Sequence, residues 1–302
     1  MTNQSPQKPY KTIFAPSTSR ERSENFETYW EYTLKNDGDL LEAEQTLALK
    51  QERLLNFQKN KVRSRAPLAH PELFYKNYVE MKDNPKDLDT KTILLTCIYK
   101  FARHEWTGIA AAWETTPSFS EAKTVTEKIS RYHLCEEFCH VRLFHEMFRT
   151  FQLEEVQWVP MSRFTRWLYG FFSKIPEKIM SGPAFLSELM GLSFYIHLDR
   201  LLDKVLSDEP EAKTRIRELL HEIMVDELAH IGQRRNYMGR FSTWLSKKIF
   251  PLMVHAFWRD IPEASLLFDV RQMVKDGLDF DYGQVPSSLL ARTWVPSYCQ
   301  VA

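Results

Sequence analysis

Two short stretches of the chain decide its fold: Glu136-Glu137-Phe138-Cys139-His140 and Asp226-Glu227-Leu228-Ala229-His230. Both consist of an acidic residue followed by Glu-x-x-His, and residues three apart on an α-helix are neighbours on one face. Apolar side chains recur around both pairs with the period of a helix, so each Glu and each His falls inside an apolar stripe. The sequence therefore predicts two helices that turn a carboxylate and an imidazole toward the protein interior.

Two further helices each contribute one acidic residue to the same kind of face. Glu105 lies near Ile98 and Phe101, and Glu188 is the only acid in the apolar segment 184–198. Ionised carboxylates are unfavourable in an interior without compensating positive charge, which a pair of divalent metal ions would supply. Oxygen-rich ligation with one histidine for each ion favours iron or manganese over zinc.

Helical periodicity and stop signals predict four long helices, at about residues 90–113, 120–151, 181–205 and 211–238. The chain has only nine glycines in 302 residues, whereas glycine usually makes up about 7% of a protein. Few glycines leave few tight turns, so the composition favours an all-α protein over a sheet protein or a glycine-rich phosphate-binding fold.

The four helices are expected to form one core domain over residues 89–240. Residues 1–88 are expected to form an N-terminal tail and flanking helices, and residues 241–302 to form C-terminal helices and a tail that pack on the core. We expect the mobile part of the N-terminal tail to reach about Asn25. A helical stretch over 40–62, rich in strong helix formers, is expected to pack outside the core.

Charge and cysteine content exclude several classes of protein. The 40 basic and 40 acidic residues balance, so the chain lacks the basic excess typical of nucleic-acid binding, and no nucleic-acid partner is expected. The four cysteines form no CxxC pair, which argues against a zinc ribbon or a disulfide framework. A polar N-terminal region and the absence of a long uninterrupted apolar run predict a cytoplasmic protein.

The order Glu105, Glu137-x-x-His140, Glu188, Glu227-x-x-His230 resembles the ferritin-like non-haem di-iron carboxylate oxygenases and oxidases. This superfamily includes soluble methane monooxygenase, acyl-carrier desaturases, the ribonucleotide reductase small subunit and arylamine N-oxygenases. The resemblance covers about residues 90–239 and implies a ferritin-like four-helix bundle with additional N- and C-terminal helices. It also implies two bound iron ions, or one manganese and one iron.

By this resemblance three residues bind one iron and three bind the other, with some carboxylates bridging the two ions. The first set is Glu105, Glu137 and His140, and the second set is Glu188, Glu227 and His230. The acidic residues that precede the motif glutamates, Glu136 and Asp226, match positions that accept a hydrogen bond from a ligand histidine.

The implied function is an oxidoreductase that activates O2 and oxidises an organic substrate. The reaction could be hydroxylation, N-oxygenation, desaturation or oxidative C–C cleavage, on a small, lipophilic or carrier-bound molecule, with electrons from a donor and a homodimer as a possible assembly. Phe144 stands where the reductase subunit has a tyrosine, which argues against a tyrosyl radical. Ile223 stands where the N-oxygenases have an extra histidine, which argues against arylamine N-oxidation.

Other interpretations of these residues remain open. The bundle could be an iron-binding ferroxidase or storage protein without an organic substrate, or a metal-free interaction module. His133 lies one heptad before His140 and could be an extra ligand or proton carrier, although a core histidine bonded to the backbone is favoured. A third Glu-x-x-His, Glu218 to His221, falls on a polar face and is interpreted as a chance match.

Two aromatic stretches share the pattern Phe-[Ser/Thr]-x-Trp-Leu, at residues 164–168 and 241–245. With basic residues nearby, they could contact a membrane surface or admit a lipophilic substrate. Packing of the helices onto the outside of the core is the favoured interpretation.

Overall fold

The computed structural model describes residues 10–42, 46–74 and 88–301. Within these ranges the chain is all-helical and contains no strand, which confirms the predicted all-α class. The α-helices of the described ranges are α1 (Ser19–Asn36), α2 (Ala48–Lys59), α3 (Thr90–Trp113), α4 (Val125–Thr150), α5 (Arg163–Phe172), α6 (Glu177–Val205), α7 (Pro210–Asn236), α8 (Arg240–Trp258), α9 (Ala264–Leu267), α10 (Val270–Leu278) and α11 (Ser287–Leu290).

The four long helices pack around a common interior. Helix α3 contacts α4, α4 contacts α7, α7 contacts α6, and α6 contacts α3, so the contacts close a ring of four helices. Leu94, Ile98, Phe144, Leu189 and Ile223 are fully buried within this ring. Because each helix turns one apolar stripe inward, any charged residue in a stripe also lies in the interior.

Capping residues set the bounds of the core helices. The side chain of Asp89 accepts hydrogen bonds from the first backbone N–H groups of α3, which starts and ends where the sequence predicts. Helix α4 begins later than predicted because Thr124 and Glu127 form a reciprocal capping box. Helix α6 begins earlier than predicted, so Pro183 lies inside the helix and not in its first turn.

The N-terminal region differs from the prediction of a mobile tail to about Asn25. Helix α1 already begins at Ser19, because Thr18 and Glu21 form another capping box. Asn25 and Tyr29 are buried where α1 packs against α4 and α7. The helical stretch predicted over 40–62 shortens to α2, which packs on α4 and buries Leu54.

The flanking segments share one hydrophobic cluster with the four long helices. Ile13, Leu54, Phe250 and Tyr298 belong to the same contiguous set of buried side chains as the interior of the ring. Near the two ends of the described chain, antiparallel bridges join Tyr10 to Gln300 and Thr12 to Asp281. The three-part division of the chain stays a prediction.

Among the described helices, α6 is long and apolar enough to cross a membrane by length and composition alone. However, 56% of its most apolar 18-residue window is buried inside the protein. Core helices of globular proteins meet the same criterion, and α6 makes its largest set of contacts with α7. We therefore describe α6 as a core helix.

Candidate metal centre

The four long helices bring seven acidic and histidine side chains together in the interior. We call these seven residues the cluster: Glu105, His133, Glu137, His140, Glu188, Glu227 and His230. The potential ligand atoms of His133, Glu137, Glu188 and His230 all lie within 4.8 Å of one another, and so do those of Glu105, Glu137 and His140. Both groups can hold a metal ion, and Glu137 belongs to both.

The two oxygens of Glu137 face opposite sides of the cluster. Its Oε1 lies 3.2 Å from Nε2 of His133 and 3.2 Å from Nδ1 of His230. Its Oε2 lies 3.4 Å from Nδ1 of His140. A carboxylate with this orientation can contribute one oxygen to each of two neighbouring ions.

Glu137 therefore divides the cluster into two halves. The His133 half contains His133, Glu188 and His230, and Oε1 of Glu188 lies 3.2 Å from Nε2 of His133. The His140 half contains Glu105, His140 and Glu227. The resemblance pairs Glu227 with His230, but Oε1 of Glu227 lies 3.4 Å from Nδ1 of His140, so its contact is with the His140 half.

The outer nitrogen of each motif histidine is bonded to an acidic residue of the opposite helix. Nε2 of His140 in α4 lies 3.1 Å from Asp226 in α7. Nε2 of His230 in α7 lies 2.7 Å from Glu136 in α4. These crossed contacts fix the orientation of both rings and direct Nδ1 of each ring toward the interior of the cluster.

Several buried atoms of the cluster have no hydrogen-bond partner among the described residues. They are Nδ1 of His133, Nδ1 of His140, Nδ1 of His230 and Oε2 of Glu105. Buried polar groups in native proteins almost always have a partner, because an unpartnered group loses its hydration without replacement. For His140 and His230, the unpartnered Nδ1 faces the cluster carboxylates, where a metal ion would take the place of a proton donor.

The charges within the cluster shift the pKa values of its glutamates in opposite directions. Burial and the nearby carboxylates of Glu137 and Glu227 raise the pKa of Glu105 well above its ordinary value. Burial and the charge of Glu137 raise the pKa of Glu227 to about 8. Burial alone would also raise the pKa of Glu137, but the facing His140 and His133 hold it well below its ordinary value.

The surrounding acids raise the pKa values of His140 and His230. Burial alone would lower the pKa of His140, but the charge of Glu137 and the hydrogen bond to Asp226 raise it well above the ordinary value. For His230, contacts with Glu136 and Glu137 overcome burial and raise the pKa in the same way. Protons therefore compensate the buried carboxylates when no metal is bound, and a metal ion competes with those protons.

His133 does not form the backbone hydrogen bond that the sequence analysis favours for it. Its Nε2 faces Glu137 and Glu188, and its Nδ1 has no partner among the described residues. Its ring stacks on that of His230 with 3.6 Å between centroids and 17° between planes. Because His133 lies one helical turn before Glu137, both side chains project from the same face of α4.

Sequence reasoning missed Lys50, which is the cation closest to the two outer acids. Its Nζ lies 2.5 Å from Asp226, 2.8 Å from Glu136 and 3.6 Å from Asp37. Burial alone would lower the pKa of Lys50, but these three carboxylates raise it well above the ordinary value. One buried ammonium group thus joins the acids that hold His140 and His230.

Two further neighbours of the cluster were also outside the predicted site. The hydroxyl of Tyr195 donates a hydrogen bond to Oε1 of Glu105. Nε of Arg234 lies 3.7 Å from Glu188, while its guanidinium also binds Glu177 at 2.6 Å. Tyr195 follows Glu188 by seven residues on α6, so the helical period could have placed both on the inner face.

The third Glu-x-x-His match lies outside the cluster. His221 faces Asp199 at 3.3 Å, and the half-exposed Glu218 pairs with Arg215 at 3.3 Å. The polar face that the sequence predicts for this pair is therefore confirmed.

No protein-family model, no curated protein and no solved structure matches this chain. The site consequently has to be interpreted from its own chemistry. That chemistry is a buried group of histidines and glutamates that can hold a metal ion.

Proposed function

We propose that this protein is a ferritin-like non-haem di-iron oxygenase or oxidase that activates O2 and oxidises an organic substrate. The observation that carries the proposal is the set of crossed contacts around the cluster. His140 and His230 each use Nε2 for an acid of the opposite helix and present an unpartnered Nδ1 to the interior. Each of these Nδ1 atoms lies 3.2–3.4 Å from an oxygen of Glu137 without a hydrogen bond, which supports a role as a metal ligand.

The donor set fits two iron ions, and a manganese–iron pair would use the same ligands. Four carboxylates and three imidazoles give each half of the cluster hard oxygen ligands with at least one nitrogen, which suits iron or manganese. Glu105, His140 and Glu227 would hold one ion, His133, Glu188 and His230 would hold the other, and Glu137 would contribute to both. The closed ring of α3, α4, α6 and α7 supports the assignment to a ferritin-like bundle.

When bound, the two metal ions would supply the redox chemistry that reduces O2 and oxidises the substrate. The protein would hold the ligands, because Glu136 and Asp226 fix the histidine rings. Tyr195 would orient Glu105 through its hydrogen bond. Apolar walls would keep water away from the reacting groups, and fully buried side chains available for this are Phe144, Phe185 and Leu192.

One small residue supports the presence of space beside the ligands. A methyl group at Gly191 would lie 3.4 Å from the ring of Phe101 and 4.0 Å from Oε2 of Glu227. Glycine at this position therefore leaves a space of about one methyl group next to the cluster. The proposal requires O2, an organic substrate and an electron donor as partners.

The test is O2 consumption by the iron-loaded protein with a reductant and a panel of lipophilic and carrier-bound substrates, with products identified by mass spectrometry. We expect an oxidised product that His140→Ala abolishes and the matched variant His221→Ala, on the polar face of α7, leaves unchanged. Iron oxidation without any organic product, in a large multi-subunit shell, would instead support a storage protein. An absence of bound iron or manganese after reconstitution would contradict the proposal itself.

A further inference from the structure

Helices α5 and α8 expose a row of large apolar side chains. The aromatic residues Phe164, Trp167, Phe241 and Trp244 are 57–71% exposed, and Leu252 is 72% exposed. All exposed Phe and Trp residues in the described part of the chain belong to these two helices. A row of this kind on a protein surface marks an interaction site.

Both helices are docked on the protein by their other side. The ring of Tyr169 in α5 packs on Gly108 of α3, and its hydroxyl lies 3.1 Å from Nδ1 of His104. In α8, Phe250 and Val254 are buried against the core. The helices do pack onto the outside of the core, as the sequence analysis favours, but their aromatic stretches point away from it.

Helices α5 and α8 both lie next to the first turns of α6. Helix α5 leads directly into the first turns of α6, where Ile179 is also exposed. Helix α8 crosses these turns, since a methyl group at Gly182 would lie 3.2 Å from Oγ of Ser246. His104 links both helices, because it contacts Tyr169 in α5 and Asp260 just after α8.

The charges on this surface have a single sign. Neither α5 nor α8 contains an acidic residue, and the one acid in the first turns of α6, Glu177, binds Arg234. The exposed basic residues of α5, of α8 and of the chain from α5 to the first turn of α6 form no ion pair with any described residue. These residues are Arg163, Arg166, Lys174, Lys178, Arg240, Lys247 and Lys248. This is unusual in a chain with equal numbers of basic and acidic residues.

We propose that this surface, which we call the aromatic–basic face, docks on a lipid bilayer that contains anionic lipids. Aromatic and aliphatic side chains enter the boundary between headgroups and acyl chains, while flanking Lys and Arg bind anionic headgroups. A second copy of the chain is a poorer partner, because a symmetric interface would bring these uncompensated cations face to face. The proposal concerns docking and is independent of the chemistry at the cluster.

Flotation of the full-length protein with lipid vesicles tests the proposal. We expect the protein to float with vesicles of phosphatidylcholine and phosphatidylglycerol, and to bind pure phosphatidylcholine more weakly. The fluorescence of Trp167 and Trp244 should shift to shorter wavelength on binding. Higher salt should weaken binding to the anionic vesicles, because it screens the basic residues.

Two pairs of substitutions separate the contributions of charge and apolar contact. Lys178→Gln with Lys248→Gln should weaken binding to anionic vesicles about 25-fold, at about fivefold for each charge. Trp167→Ser with Trp244→Ser should remove the fluorescence shift and weaken binding to both kinds of vesicle. Circular dichroism and bound metal should stay unchanged in both variants, because all four side chains are exposed.

The controls change exposed lysines and exposed apolar residues elsewhere on the surface. Lys35→Gln with Lys59→Gln, and Leu34→Ser with Leu55→Ser, should bind vesicles as the unmodified protein does. Failure of the unmodified protein to float with anionic vesicles at low salt would overturn the proposal. A dimer in light scattering that Trp167→Ser with Trp244→Ser dissociates would also overturn it, and would assign the face to self-association.

Discussion

The His133 half and the His140 half of the cluster have the same contacts around their motif histidines but different neighbours around their terminal glutamates, Glu188 and Glu105. On the outside, each motif histidine contacts an acid of the opposite helix, and Lys50 joins the two acids. The His133 half contains two imidazoles, those of His133 and His230. Its Glu188 lies next to the imidazole of His133 and the guanidinium of Arg234. The His140 half has one imidazole, and the hydroxyl of Tyr195 contacts Glu105.

This difference affects the protonation of the terminal carboxylates. Burial alone would raise the pKa of Glu188, but the facing His133 lowers it below its ordinary value. The pKa of Glu105 is instead raised well above its ordinary value by burial and by Glu137 and Glu227. A metal ion competes more strongly with protons at Glu105 than at Glu188, so we infer that the two halves bind metal with unequal affinity.

The largest effect is expected from removing the residue that both halves share. Glu137→Ala takes away the carboxylate whose two oxygens face opposite halves, so we expect the loss of both bound ions. Elemental analysis after reconstitution with iron measures this. Glu218→Ala removes a glutamate from the polar Glu-x-x-His of α7 and should keep both ions. Retention of one ion in Glu137→Ala would mean that the halves bind independently.

The second largest effect should come from Lys50, which joins the halves from outside. Lys50→Met leaves the carboxylates of Glu136 and Asp226 buried without their cation, and breaking a buried ion pair lowers the free energy of unfolding by about 3–5 kcal/mol. Metal affinity should fall about 10- to 100-fold because the histidine rings lose their fixed orientation. Urea unfolding and metal titration measure the two changes.

Lys59→Met is the control for Lys50→Met, because Lys59 is an exposed lysine on the same helix. It should change neither the urea midpoint nor the metal affinity. Equal behaviour of the two variants would show that Lys50 does not support the outer acids.

The shared parts of the cluster could be predicted from sequence because they follow the helical period. Glu137, His140, Glu227 and His230 repeat one motif inside apolar stripes, and a repeated charge in a stripe has to meet its counterpart in the interior. The helix bounds were predicted best where a strong cap stands next to the apolar run, as at Asp89 before α3. Among the four long helices they were predicted worst at α4, whose capping box lies several residues after the first plausible cap.

The contacts that differ between the halves could not be predicted because they depend on how the helices pack. Lys50 lies on a short helix whose composition is typical of a solvated surface helix, and only the packing of α2 on α4 brings it to Glu136. Tyr195 and His133 lie on apolar faces, where an aromatic or a histidine is usually a packing residue. Only the three-dimensional arrangement shows which carboxylates they face.

A smaller, pH-dependent effect is expected at Asp37, the third acid on Lys50. Burial, opposed by Lys50, raises the pKa of Asp37 from 3.8 to about 7. Because this pKa is higher in the folded state, its stabilising contribution is complete below 3.8 and is lost as the pH rises through about 7. The unmodified protein should therefore lose stability relative to Asp37→Asn as the pH rises from about 4 to about 8.

Urea unfolding of the metal-free protein and of Asp37→Asn across this pH range measures the difference. Asp39→Asn, two residues away in the chain, is the control and should show no such trend. A difference between Asp37→Asn and the unmodified protein that stays constant with pH would mean that Asp37 is ionised throughout, with Lys50 serving three carboxylates equally.

The smallest effect is expected from replacing His133, and it tests most directly whether the two halves differ in metal affinity. The positions four residues before the motif glutamates hold His133 in α4 and Ile223 in α7, so His133→Ile gives both helices the same residue there. We expect the affinity for one of the two ions to fall about tenfold, or about 1.4 kcal/mol, with the other ion unaffected. Loss of the imidazole should also raise the pKa of Glu188, because His133 is the main neighbour that lowers it.

Metal titration by calorimetry, with two resolved binding steps, measures the effect of His133→Ile. His221→Ala removes a histidine from the polar face of α7 and should leave both steps unchanged. If His133→Ile weakened both steps equally, the asymmetry between the halves would have no consequence for binding, and His133 would act on the ions only through the shared Glu137. Unequal steps that become more alike in the variant would identify His133 as the residue that distinguishes the halves.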